Sequence, residues 1–357
     1  MVRYALRPGV LVYKDSNDDV RTFSPALGEV RTFQGFHGDE ELMQSLQDPK
    51  SLSELHEDLT LKGIRVTKQE LKQALDALIQ HSVVESIEDP MTVVDGLSAF
   101  FQDLDPVRAA HAIEQLNQSA VLVIGVGTVG STLSVLLSQI GIGSLILVDA
   151  DEVEVKNLKS QLAYSLDDVG KKKAYVLAEF IRKRSDTRVY IEDRKVTSRE
   201  DISEILLKYV VEKGFSSSMI VNCADEPSVD AIATWIEDAV NRLKIPIPFI
   251  AGGGYAGHMG SIGPTIIPNK TASWASYLKQ VEELRSSTFG RWRKIASRPR
   301  GDHARPVFAP LGAFVSSLLA KETVWVLTGI NAPMFAGCHV EWNVRNGEFM
   351  RKPIRES

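Results

Sequence analysis

The sequence predicts an α/β protein, a Rossmann-like doubly wound parallel sheet behind a small N-terminal winged-helix-like domain. Three observations carry this. The run VLVI at 121–124 leads into glycines 125, 127 and 130 in G-x-G-x-x-G spacing. A second apolar run at 144–148 ends on Asp149, 19 residues after Gly130. Residues 1–88 carry their own pattern of short strands and capped helices. At 357 residues the chain is long enough for two domains with large cores.

In the front module, residues 10–13 and 20–23 alternate as strands around the turn-rich DSNDD at 15–19, and 30–33 reads as a third strand. Residues 39–46 form a first helix, with Leu42, Met43 and Leu46 on its apolar side. Ser51-Leu-Ser-Glu54 opens a second as a capping box, and Gly63 ends it. Thr67-Lys-Gln-Glu70 opens a third, which turns Leu71, Leu75 and Leu78 to one face. Residues 83–87 close the module as a strand. Winged helices commonly bind DNA, but residues 1–90 hold 10 basic against 16 acidic side chains, a net of −6 that repels phosphates. The whole chain, at −5, is not expected to bind nucleic acid. Residues 89–109 are expected to be a linker and 110–357 the second domain.

The run at 121–124 fits a strand buried on both faces. Gly125 permits the tight turn, Gly127 lets a phosphate approach the backbone, and Gly130 lets the helix pack on the strand. The helix that follows, apolar over 132–140, would turn its N-terminal N–H groups toward that phosphate. Asp149 stands where a carboxylate can take ribose hydroxyls. An NAD enzyme fits this far. The following loop instead supplies Asp151, Asn157, Lys159, Gln161 and Lys173, amide and ammonium groups better suited to a triphosphate with Mg²⁺ than to a nicotinamide slot.

In this order these residues resemble the ThiF/MoeB superfamily of ubiquitin-activating-like adenylyltransferases, over about 110–345. The shared pattern is G-x-G-x-x-G, Asp-x-Asp, Asn-Leu-x-Arg-Gln and Gly-x-x-Lys-Ala. It continues in Ile220-Val-Asn-Cys-Ala-Asp225 and in Phe249-Ile-Ala-Gly-Gly-Gly-Tyr255. The resemblance implies that Asp149 binds ribose, that Asn157, Gln161 and Lys173 bind phosphates, and that Asp225 holds Mg²⁺. It implies attack of a carboxylate on the α-phosphate of ATP, giving an acyl adenylate and pyrophosphate.

The sequence departs from that pattern in three places. Ser160 stands at the family's Arg, with Lys159 just before it. No Arg precedes the first strand in the stretch 95–101. The first pair of the family's zinc cysteines falls on Ser273 and Ser276, and the second pair is absent. Two cysteines, Cys223 and Cys338, cannot build a four-sulfur site, so no structural zinc is expected. Both cysteines lie in apolar strand-like runs and read as buried rather than nucleophilic. Few cysteines suit a reducing cytoplasm. No signal-peptide core and no apolar run of transmembrane length is expected.

The segment 285–305 is basic, with Arg285, Arg291, Arg293, Lys294, Arg298, Arg300 and Arg305 against Asp302 alone. In the family this region crosses over the nucleotide site. One of Arg298, Arg300 and Arg305 is expected to reach the phosphates in place of the missing Arg, while a solvated charged face is the alternative.

The front module resembles the PqqD-like recognition domain of ribosomal-peptide biosynthesis, through Arg7-Pro8-Gly9-Val10 and the helix-strand at 75–84. Ahead of a ThiF-like domain, it points to the peptide-modifying branch that includes the microcin C peptide adenylyltransferase and the pantocin A glutamate-condensing enzyme. Phe308-Ala-Pro310 before an apolar helix at 312–326 is a further similarity. The resemblance implies a cytoplasmic homodimer that uses ATP and Mg²⁺ to activate a carboxylate on a precursor peptide, leading to cyclisation or condensation. Two alternatives stay open: an activator of a small sulfur-carrier protein, and a non-catalytic peptide-binding adaptor.

Overall fold

A computed structural model describes residues 2–24, 28–33, 37–87, 96–215, 217–289 and 307–355. The chain divides into two compact units, Met1–Ala112 and Ile113–Ser357. The basic candidates Arg298, Arg300 and Arg305 lie outside the described residues, as do residues 89–95 of the expected linker.

In the first unit the strand Arg3–Leu6 pairs antiparallel with Val84–Ile87 on one side and Lys50–Ser51 on the other. A separate antiparallel sheet runs Leu11–Lys14, Val20–Ser24, Glu29–Phe33. Both capping boxes form. Ser51 Oγ accepts from Glu54 N and Glu54 Oε2 from Ser51 N, and Thr67 with Glu70 does the same. The helices Asp39–Ser45, Leu52–Leu61 and Lys68–Gln80 bury Leu42, Met43, Leu55, Leu59, Leu71 and Leu75 in one core. The expected linker contains a helix, Gly96–Leu104, which belongs to this unit. It buries Phe101, and Arg7 donates to Gln102 O at 3.1 Å and pairs with Asp103 at 3.0 Å.

The second unit is built on a six-stranded sheet in the order Thr265–Ile266, Phe249–Ile250, Ser217–Asn222, Ser119–Ile124, Ser144–Val148, Arg188–Glu192. All neighbours are parallel except the first pair. Every residue of Ser119–Ile124 and Ser144–Val148 is buried, as central strands covered on both faces require. The strand order reverses between Ser119–Ile124 and Ser217–Asn222, which opens a crevice at their carboxyl ends.

A second, antiparallel sheet comprises Gly253–Ala256, Met259–Ile262, Cys338–Asn343 and Glu348–Pro353, of which the sequence indicated the strand around Cys338 but not the sheet. The helix Ala309–Thr328 packs between it and the helix Thr128–Gln139. A Cβ on Gly253 would lie 2.4 Å from Leu319, and one on Gly312 would lie 2.6 Å from Thr128. This corrects one expectation, since Ala309–Thr328 is long and apolar enough to cross a membrane by length and composition. Most of that stretch is buried within the unit, where it serves as a core helix.

Candidate nucleotide site

Two of the three glycines are demanded by the fold and one is not. Gly125 has φ +85°, and a Cβ there would lie 2.9 Å from the Ala224 backbone. A Cβ on Gly130 would lie 1.9 Å from Gly125 O, so the helix could not follow the turn so closely. Gly127 has φ −72°, outside the left-handed region, and a Cβ there would meet only Gln161 Nε2, at 3.9 Å. Its missing side chain leaves room at the start of Thr128–Gln139, where no side chain caps the helix. That is the approach a phosphate needs.

Asp149 ties the two strand ends together. Its Oδ2 accepts from Val126 N and its Oδ1 from Asp151 N, both at 2.7 Å. Burial pushes its carboxyl above the ordinary carboxylate range, and the two N–H donors pull against that. Each oxygen keeps acceptor capacity for a hydroxyl.

The polar loop brings some of the predicted residues together. Lys173, 5% exposed at the start of its helix, donates from Nζ to Asp151 Oδ2 at 2.9 Å, and its N–H donates to Asp151 O. Gln161 is 7% exposed beside Gly127, and its Oε1 is buried without a partner. Asn157 caps a 3₁₀ turn, its Oδ1 accepting from Glu154 N at 2.9 Å. Lys159 ends that turn exposed. Asp225 is exposed just beyond Ser217–Asn222, on the far side of the crevice. Cys223 falls just past that strand rather than inside it. Its N–H donates to Ile124 O at 2.8 Å, and burial pushes its thiol up to about 12, far from a nucleophile's range.

Two contributors, Tyr164 and Lys195, were missed by sequence reasoning. Tyr164 is buried and its hydroxyl donates to Val126 O at 2.7 Å, pinning the polar loop to the glycine turn. A lone aromatic three residues after Gln161 was the available signal. Ser160, already singled out at the family's Arg position, is buried and bonded to Thr128. Lys195 pairs with Glu226 at 2.6 Å. Where the family's first zinc cysteines would fall, Ser273 Oγ and Ser276 Oγ bond to each other at 3.0 Å, and Ser273 Oγ accepts from Ser276 N.

Among the described residues, no three His, Cys, Asp or Glu side chains converge as a metal site. One or two carboxylates with substrate phosphates suffice for Mg²⁺, and Asp225 is an exposed carboxylate beyond the strand end. The unpartnered Gln161 oxygen and the open face of Gly127 both fit a hydroxyl-bearing, phosphorylated ligand.

The ThiF family's sequence model matches residues 97–357, the greater part of the chain. The chain belongs to the ThiF family. The sulfur carrier protein adenylyltransferase of Thermus thermophilus is 26% identical over 260 residues, covering 68% of this chain and 82% of that protein. The Escherichia coli microcin C7 biosynthetic enzyme MccB, solved with ATP and with N-formylated MccA, matches with TM-score 0.71 and 18% identity, over 100% of this chain and 98% of that one. PaaA matches with TM-score 0.69 and 18% identity, over 98% of this chain and 99% of that one. These likenesses show the ThiF Rossmann-like fold.

Proposed function

We propose that this ThiF-family chain is an ATP-dependent, carboxylate-activating enzyme that modifies a ribosomally made precursor peptide. The observation that carries the reading is the extent of the fold match. MccB, a structure solved with ATP and with MccA, is covered across both units rather than the ThiF portion alone. The sulfur-carrier relative covers only 68% of the chain. The product of activation would be cyclisation or condensation on the same peptide, by a cytoplasmic homodimer.

The chain's own residues have separable roles. Asp149 takes the ribose hydroxyls from a carboxylate held rigid by Val126 and Asp151. Gly127 admits the phosphates to the helix N-terminus, with Gln161, Asn157 and Lys173 around them. Lys173 is held in place by its ion pair with Asp151. Asp225 binds Mg²⁺, which when bound neutralises charge developing on the phosphates. The carboxylate of the peptide attacks the α-phosphate and pyrophosphate leaves.

The front unit offers a place for the peptide. Glu29–Phe33 is an edge strand of its sheet, and Arg31 on it donates to His81 O at 2.6 Å, at the end of Lys68–Gln80. An extended leader peptide can add to that edge beside the helix.

Pyrophosphate release from ATP tests the reading, with the purified chain given either a candidate precursor peptide or a ThiS-type carrier. Release with the peptide alone is expected. Release with the carrier alone would favour the sulfur-transfer alternative, and binding of peptide with no release under either condition would favour the adaptor.

A further inference from the structure

The edge strand Arg188–Glu192 and the strand Ser217–Asn222 are separated by Ser144–Val148 and Ser119–Ile124. Three inter-strand spacings put them about 14 Å apart. Yet the loops that leave their carboxyl ends touch. Arg194 N donates to Glu192 O at 2.9 Å, which turns the chain back at the strand end, and Val196 is buried in the core. Lys195, between these anchors, reaches out until its Nζ is 2.6 Å from Glu226 Oε2. The pair therefore passes above the carboxyl ends of the two intervening strands, which carry Asp149 and the glycine turn.

Both partners are more than half exposed, at 58% and 65%, and a pair so open to water contributes little to stability. Asp151 acts on the same ammonium at longer range. Three of the neighbouring lysines are engaged elsewhere. Lys171 pairs with Asp168, Lys172 donates to Ala150 O, and Lys173 pairs with Asp151. The position of the family's Arg holds Ser160, turned inward.

We propose that Lys195 is a polyphosphate-binding residue of this site, exchanging the Glu226 carboxylate for the β- and γ-phosphates of bound ATP. The inference rests on the nucleotide-site reading above. Without nucleotide, Glu226 holds the ammonium over the crevice and neutralises it. With nucleotide, a triphosphate offers the same ammonium a denser negative charge, and Glu226 becomes its competitor. No bond is made or broken beyond the ion pair.

Calorimetry with ATP and with AMP, on the full chain, tests this with Lys195→Met, Lys195→Arg and Glu226→Gln. Lys195→Met is expected to weaken ATP about tenfold or more while leaving AMP within about twofold. Lys195→Arg should stay close to wild type, and Glu226→Gln should tighten ATP. Three results would overturn the proposal while the nucleotide site stands: Lys195→Met binding ATP as wild type does, equal losses for ATP and AMP, or Glu226→Gln weakening ATP as Lys195→Met does. A wild-type chain that binds no ATP would overturn the site reading and this proposal with it.

Discussion

The hydroxyls of Ser160 and Thr128 lie 3.0 Å apart. Ser160 is 4% exposed, and Thr128 opens the glycine-turn helix and packs against Gly312. The residue at the family's arginine position is thus part of the packing beneath the nucleotide site. Restoring the arginine there should not restore a phosphate contact. Ser160→Arg is expected to lose the hydroxyl pair and to overpack the loop, at a cost of about 1–3 kcal/mol in urea unfolding. Unchanged stability together with faster ATP turnover would show instead that the position opens toward the phosphates.

The glycines should separate folding from binding. Gly130→Ala places a methyl group 1.9 Å from Gly125 O and should cost about 3 kcal/mol or more. Gly127→Ala meets no such obstacle and should fold within about 1 kcal/mol of wild type, yet bind ATP more weakly. Denaturation and calorimetry on the same two variants check both halves.

Asp149→Ala removes the acceptor for Val126 N and Asp151 N as well as the proposed ribose contact. It should weaken ATP binding and also lower stability by about 1–3 kcal/mol. Wild-type chain should prefer ATP to NAD in the same calorimeter. Tighter binding of NAD would refute the adenylyltransferase assignment.

Asp225→Ala should behave differently, because Asp225 is exposed at the end of its strand. A fall in peptide-dependent pyrophosphate release of about 10²–10³-fold is expected in protein that is still folded at the assay temperature. Near-normal turnover would remove Asp225 from the metal role.

Glu322 offers a test of stability that is remote from nucleotide chemistry. Its buried carboxylate accepts from Thr265 Oγ1 at 2.9 Å, Met334 N at 2.6 Å and Phe335 N at 2.9 Å. Burial nevertheless raises its pKa above the ordinary value, the three donors opposing. The folded chain then holds the proton to higher pH than the unfolded one. Its contribution to stability is fullest below the unfolded pKa of about 4.3 and declines as pH rises through the folded value. Glu322→Gln should abolish this share of the pH slope. At pH 7 it should also lose about 1–3 kcal/mol, because an amide N–H₂ replaces an acceptor facing Met334 N or Phe335 N. Melting curves at pH 4, 5 and 7 measure both effects.

The local features were legible in the sequence because each is specified by neighbours in the chain. The two capping boxes need residues three apart, the G-x-G-x-x-G turn needs glycines within six residues, and the central strands announce themselves as unbroken apolar runs. The ThiF assignment followed, since its pattern is a sequence of such local elements. What required the tertiary structure depends on residues that are distant in sequence. Only folding brings Ser160 to Thr128, Tyr164 to the Val126 carbonyl, and Lys195 across two strands to Glu226. The helix Ala309–Thr328 makes the same point, because its apolar composition suits a bilayer or a core, and only the sheet and helix packed against it decide which.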